Sequence, residues 1–298
     1  MKLGVALPQT AIGGDPIVVR DFAQAAEEIG FHHLSVYDHV VGVNVASRPN
    51  WTAPYTSANV FHDPFVLFGY LAGLTKRIEF TTQILILPQR QTVLVAKQAA
   101  SVDYLSGGRL RLGIGIGWNP VEYVALGENF SNRGARSEEQ VALMKALWTD
   151  QHVTFKGKWH EVPDAGINPL PVQRPIPVWF GGHVDQTFDR IVRMGDGWIL
   201  LQHKPDAEGR AAIDKLREMA KKAGRPTGAI GLDAWVSMGK TTPEQWRAEI
   251  LAWRDIGVSH VTLNTTFERF HHQPIVEKSL PIHMDGVRRY YGAVRDLL

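Results

Sequence analysis

Short apolar runs alternate with longer stretches whose apolar residues recur at helical spacing, and the alternation persists almost from end to end. "LGVAL" at 3–7 reads as a first strand. Asp15-Pro16 then supplies an N-cap and a first helical residue. Val18, Val19, Phe22, Ala25, Ala26 and Ile29 mark one helical face, and Gly30 supplies the stop. The same grammar predicts strands at 33–40, 78–87, 109–117, 176–182, 196–202, 230–239 and 260–267. Asp63-Pro64 opens a helix with Val66, Leu67, Tyr70, Leu71 and Leu74 on one stripe, and the helix 92–106 closes at Gly107-Gly108. A helical region at 121–148 is broken near "NFSNRG", Thr242 to Gln245 reads as a capping box, and an amphipathic run from about 285 ends the chain. "VTFKGKWHEV" at 153–162 reads as a hairpin insertion before the fifth strand, with Lys156-Gly157-Lys158 as its turn.

Strands separated by helices call for a parallel sheet. Eight such units within 298 residues favour closure into a (β/α)8 TIM barrel over an open doubly wound sheet. No linker or compositional break interrupts the pattern, so residues 1–298 are expected to form a single domain. Active sites of such barrels are built at the C-terminal ends of the strands. That rule decides which residues carry weight.

Composition adds mainly exclusions. A formal charge of +2 is too mild to indicate a nucleic-acid partner, though it suits a small anionic ligand. The chain has no cysteine, which excludes disulfides, thiolate metal sites and thiol nucleophiles. The start "MKLGVALPQT" reads as a strand rather than a signal peptide, and no run approaches the roughly 18 apolar residues of a membrane span. The expectation is a cytoplasmic enzyme acting on a small molecule.

Three stretches at strand ends bear chemistry. In "RLRLGIGIGWNPVEY", Gly113, Gly115 and Gly117 share one side of a strand while Leu112, Ile114 and Ile116 fill the other. The G-x-G-x-G spacing and the early Pro120 argue against a dinucleotide loop. The bare side admits a planar ligand or a neighbouring backbone, or it relieves crowding. In "SVYDHVVG", Asp38 and His39 stand where catalytic groups are expected, and a histidine there can exchange a proton near neutral pH. The alternative is a polar rim pair. In "VWFGGH", Gly181-Gly182 precede a helix, as in an anion-binding turn or an ordinary strand–helix connection.

Thr81 and Gln83 share one face of a buried strand and need hydrogen-bond partners, from neighbouring loops or from a heteroaromatic cofactor. His32, His33, Asp38 and His39 cluster in sequence, but the first two sit at the wrong end of the strand and no converging ligand set appears, so no metal site is expected. His271-His272 read as solvated loop residues. The long 41–60 loop suggests a lid in which Trp51 and Tyr55 cover the site. A serine nucleophile elbow is absent.

Taken jointly, "YDHV", "ILPQRQTVLVAKQAASVDYLSGGRLRLGIGIGWNPVEYVALG", "NRGARSEEQVALMKALW" and "PVQRPIPVWFGG…RIVRMGDGWI" resemble the bacterial luciferase-like family of flavin- and deazaflavin-dependent oxidoreductases, over most of the chain. The resemblance, strongest to the F420-dependent branch, implies coenzyme F420 in the barrel mouth, with FMN and monooxygenation as the alternative. A non-catalytic ligand-binding barrel is the rival from another class. The resemblance also implies a homodimer, and it carries Asp38 and His39 over as cofactor-contacting and proton-handling residues. Thr82, Gln83 and Ile84 would lie behind the ring, with a non-proline cis peptide at Gln83–Ile84. Gly115 and Gly117 would give the ring space, Trp118 a wall, and Gly181-Gly182 a phosphate nest. Two positions depart from the F420 branch. Val43 and Trp118 stand where its sugar-phosphate and alcohol dehydrogenases carry tryptophan and glutamate, which leaves Glu122 as a candidate substitute. The departures point to a reductase or monooxygenase rather than a sugar-phosphate dehydrogenase.

Overall fold

Parallel strands β1 (Lys2–Ala6), β2 (His33–Val36) and β3 (Glu79–Thr82) pair in sequence order, and β3 pairs with β5 (Leu110–Gly115). The circuit continues through β8 (Val178–Gly181), β9 (Gly197–Leu200), β10 (Gly231–Ser237) and β11 (His260–Asn264), which returns to β1. The barrel is closed. Its third strand is interrupted: β4 (Leu85–Ile86) resumes after a cis Gln83–Ile84 peptide and pairs with β5. The antiparallel hairpin of β6 (Val153–Lys156) and β7 (Glu161–Ala165) precedes β8 and reaches three residues beyond its expected end. The computed structural model describes residues 1–298, the side chain of Thr227 excepted.

Helices α1 (Gln9–Ile12), α2 (Pro16–Ile29), α3 (Pro64–Ala72), α4 (Thr92–Ser106), α5 (Pro120–Ala125), α6 (Arg133–Thr149), α7 (Asp185–Met194), α8 (Ala207–Lys222), α9 (Pro243–Ile256) and α10 (Leu280–Val294) accompany the strands. Local chemistry fixes their starts. Asp15 accepts from the Ile17 N–H, Asp63 from those of Phe65 and Val66, and Thr242 forms the expected box with Gln245. Two expectations shift. α10 starts five residues early because Ser279 caps it, and α3 buries Leu67, Phe68 and Leu71 while exposing Val66 and Tyr70. α3 is apolar nearly all round, so spacing alone does not choose its buried face.

The barrel interior is polar below its mouth. His33, Thr81, Arg111, Asp233 and Thr262 are buried there, and Arg111 pairs with Asp233 at 2.9 Å. His33 is therefore the first residue of β2 rather than part of the preceding loop. Near the mouth the barrel wall is fitted around Ile84. A methyl group on Gly115 would lie 2.5 Å from the Ile84 side chain, and one on Gly181 would lie 2.8 Å from it. On Gly113 it would meet the Thr82 carbonyl oxygen at 2.0 Å, backbone against backbone. Gly113→Ala is therefore expected to lower stability by about 1–3 kcal/mol through overpacking. Gly69→Ala, on open helix surface, should be neutral or stabilising by up to about 1 kcal/mol. Urea unfolding of the two variants side by side checks the contrast.

Candidate active site

The open end of the barrel holds a cavity of about 250 Å³. Ile84, Trp118, Trp198, Ile199, Trp235 and Phe267 make it largely apolar and aromatic. His39 stands in its wall, three residues beyond the end of β2. The imidazole is packed among rings: Tyr55 and Phe61 lie 5.0 Å away and Trp118 5.6 Å, centroid to centroid.

Glu122 orients this imidazole. "WNPVEY" starts α5, with Asn119 accepting from the Val121 N–H and Pro120 at the first helical position. That start carries Glu122, fully buried, to His39, where its Oε2 lies 3.0 Å from Nδ1. Oε1 accepts from the Val40 N–H at 2.9 Å and, more weakly, from that of Val41 at 3.4 Å. Burial by itself would raise this carboxyl. The hydrogen bond and charge of His39 and the two backbone N–H groups outweigh it and hold Glu122 below the ordinary glutamate value. An ionised carboxylate only accepts, so Nδ1 carries the hydrogen, and in the ring's neutral form the lone pair is on Nε2. Nε2 has no protein partner among the described residues and is not sealed from solvent. This is a poised acid–base group.

The other expected site residues divide. Asp38 borders the cavity, but both its oxygens are engaged: Arg90 bonds Oδ1 at 2.8 Å and Oδ2 at 3.3 Å, and the Ile86 N–H donates to Oδ2 at 3.0 Å. It anchors the resumed third strand. Gln83 borders the cavity and turns its amide down into the barrel, donating to Asp233 at 2.7 Å and accepting from the Trp235 indole N–H at 2.7 Å. Its partners are thus barrel residues rather than neighbouring loops. Thr82 lies behind the wall, with its hydroxyl on the Gly113 carbonyl. Ile84, Gly117, Trp118 and Gly182 line the cavity, whereas Gly115 and Gly181 only make room for Ile84. The bare side of β5 thus faces the kinked third strand.

The 41–60 loop folds over the mouth. Tyr55 lines the cavity, and Trp51 rests on Trp118 at 5.8 Å. Sequence reasoning gave no weight to Phe267, Arg269 and Phe270, which follow β11 and close one side; the charge and rings of "TTFERF" were the available signal. His272 is buried against the Leu201 carbonyl rather than solvated. Val43, one of the two departures from the F420-branch pattern, is buried.

Residues 1–279 match the family model described as luciferase-like monooxygenase. The chain belongs to that family. Among luciferase-like relatives, an uncharacterized protein of Mycobacterium tuberculosis is 33% identical over 207 residues, covering 67% of this chain and 71% of its own. The FMNH2-dependent dimethylsulfone monooxygenase of Pseudomonas putida is 30% identical over 243 residues, 79% of this chain and 62% of its own. In fold, the chain is similar to an F420-dependent secondary alcohol dehydrogenase solved with an F420–acetone adduct, with a TM-score of 0.78 over 99% of both chains at 18% identity. The luciferase-like family comprises oxidoreductases and monooxygenases, so the chain is an enzyme of that broad kind. Among the described residues no helix is long and apolar enough to cross a membrane.

Proposed function

We propose that this luciferase-like enzyme uses coenzyme F420 to move a hydride to or from a small organic substrate, with His39 handling the accompanying proton. The observation that carries the reading is the His39–Glu122 pair: an imidazole whose tautomer is fixed from behind and whose Nε2 remains available at an apolar cavity.

The residues present fit a flat ring with an anionic tail. Ile84 and Gly117 border the space a ring would take. Beyond Gly182, α7 begins without a side-chain cap, leaving its first N–H groups for an anion, and Arg269 adds a positive charge to the lining. The acid in that first turn, Asp185, is paired with Lys215 at 2.6 Å. A bound deazaflavin supplies or accepts the hydride. His39 accepts a hydroxyl proton at Nε2 when the substrate is oxidised and returns it when a carbonyl is reduced, while Glu122 stabilises the doubly protonated ring. The aromatic lining excludes water from that exchange.

A second reading, reduced FMN and oxygen activation, is favoured by the 30% identity to the dimethylsulfone monooxygenase. Titration of the purified protein with each cofactor, followed by absorbance, separates the two. Micromolar F420 binding is expected. Micromolar FMN binding with no detectable F420 binding would overturn the cofactor assignment.

A further inference from the structure

A second chamber of about 270 Å³ adjoins the first, and His39, Tyr55 and Trp118 line both. Its other walls differ in kind. Val40, Gly42, Thr56, Ser57, Asn59 and Asn119 present backbone, hydroxyl and amide groups. Asn59 and Asn119 each use Oδ1 on a neighbouring backbone N–H, which leaves their NH2 groups without protein partners among the described residues. The Ser57 hydroxyl is also unengaged and open to solvent. The chamber is rich in donors.

It also lacks formal charge. No lysine, arginine, aspartate or glutamate lines it, whereas the main cavity includes Arg269. Directly behind the wall sits the buried Glu122 carboxylate, ionised and bound to His39 and the Val40 N–H. Among the lining residues only His39 can turn cationic, and its charge is already paired with Glu122, so the chamber offers a carboxylate or phosphate no unpaired cation, while the free N–H and O–H groups suit a neutral acceptor.

We infer that this chamber is the substrate site and that it selects small uncharged molecules bearing a carbonyl or hydroxyl oxygen. The inference rests on the acid–base role of His39 proposed above, because the shared imidazole is what joins the two spaces.

Cyclohexanone and cyclohexanecarboxylate are similar in size and differ in charge. Binding of each to the purified full-length chain, with and without saturating F420, is measured by ligand-observed NMR titration. Cyclohexanone should bind at least tenfold more tightly. Val41 also lines the chamber, on the segment packed beside Ser57; Ser57→Trp and Val41→Trp should each abolish that binding, and Ser57→Arg should narrow the gap by strengthening carboxylate binding. Equal or tighter binding of the carboxylate overturns the inference. So does cyclohexanone binding that persists in both tryptophan variants. Failure of the F420 reading would show in the cofactor titration and leave these affinities unaltered, so the two outcomes are distinguishable.

Discussion

His39→Ala is expected to lower turnover by about 10²–10⁴-fold with cofactor affinity nearly intact, since the ring is a proton-transfer group on a loop beyond β2, and to lower stability as well, since the buried Glu122 carboxylate loses its partner. Glu122→Gln should fall between this variant and the parent. The amide can face His39 with either its oxygen or its nitrogen, so the imidazole tautomer is no longer dictated. Steady-state kinetics across pH for both variants provides the check. A Glu122→Gln enzyme with the parent's turnover would sink the pairing as a catalytic device. Glu122 also links the site to folding. Its carboxyl lies below the ordinary value in the folded chain, so its contribution to stability is present above the unfolded value near 4.3 and is lost as pH falls through the folded one.

The largest stability effect is expected deeper in the barrel. Arg111→Met leaves Asp233 buried without its cation, and breaking such a pair costs about 3–5 kcal/mol. Burial already raises the Asp233 carboxyl above its ordinary value although Arg111, Thr262 and Gln83 pull it down, and removal of Arg111 raises it further. A raised carboxyl favours folding while protonated, so that stability is present below the unfolded value near 3.9 and lost as pH rises through the folded one. The deficit relative to the parent should therefore be smaller at pH 5 than at pH 8. Urea denaturation at both values measures it. A deficit that does not depend on pH would show that Asp233 is not the group left uncompensated.

The barrel was legible because its signals are local. Caps such as Asp15 and Thr242, stops such as Gly30, and the alternation of strand and helix lie within a few residues of each other. The site was legible by position: the rule about strand ends selected His39, and the resemblance placed the Gln83–Ile84 cis peptide. Partnerships made by closure were not. His39 and Glu122 are 83 residues apart, Asp38 and Arg90 52, and His272 and the Leu201 carbonyl 71. No periodicity spans such distances. The glycines of β5 announced a missing side chain without saying what fills the gap, and the answer, Ile84, comes from a different strand.

That filling ties three positions into one unit. A branched residue at 84 is tolerated only while 115 and 181 stay bare, and shrinking it would open slack on both flanks at once. Diverging descendants of this chain should therefore alter the three together or not at all, and a designer wishing to reshape the pocket must edit them as a set.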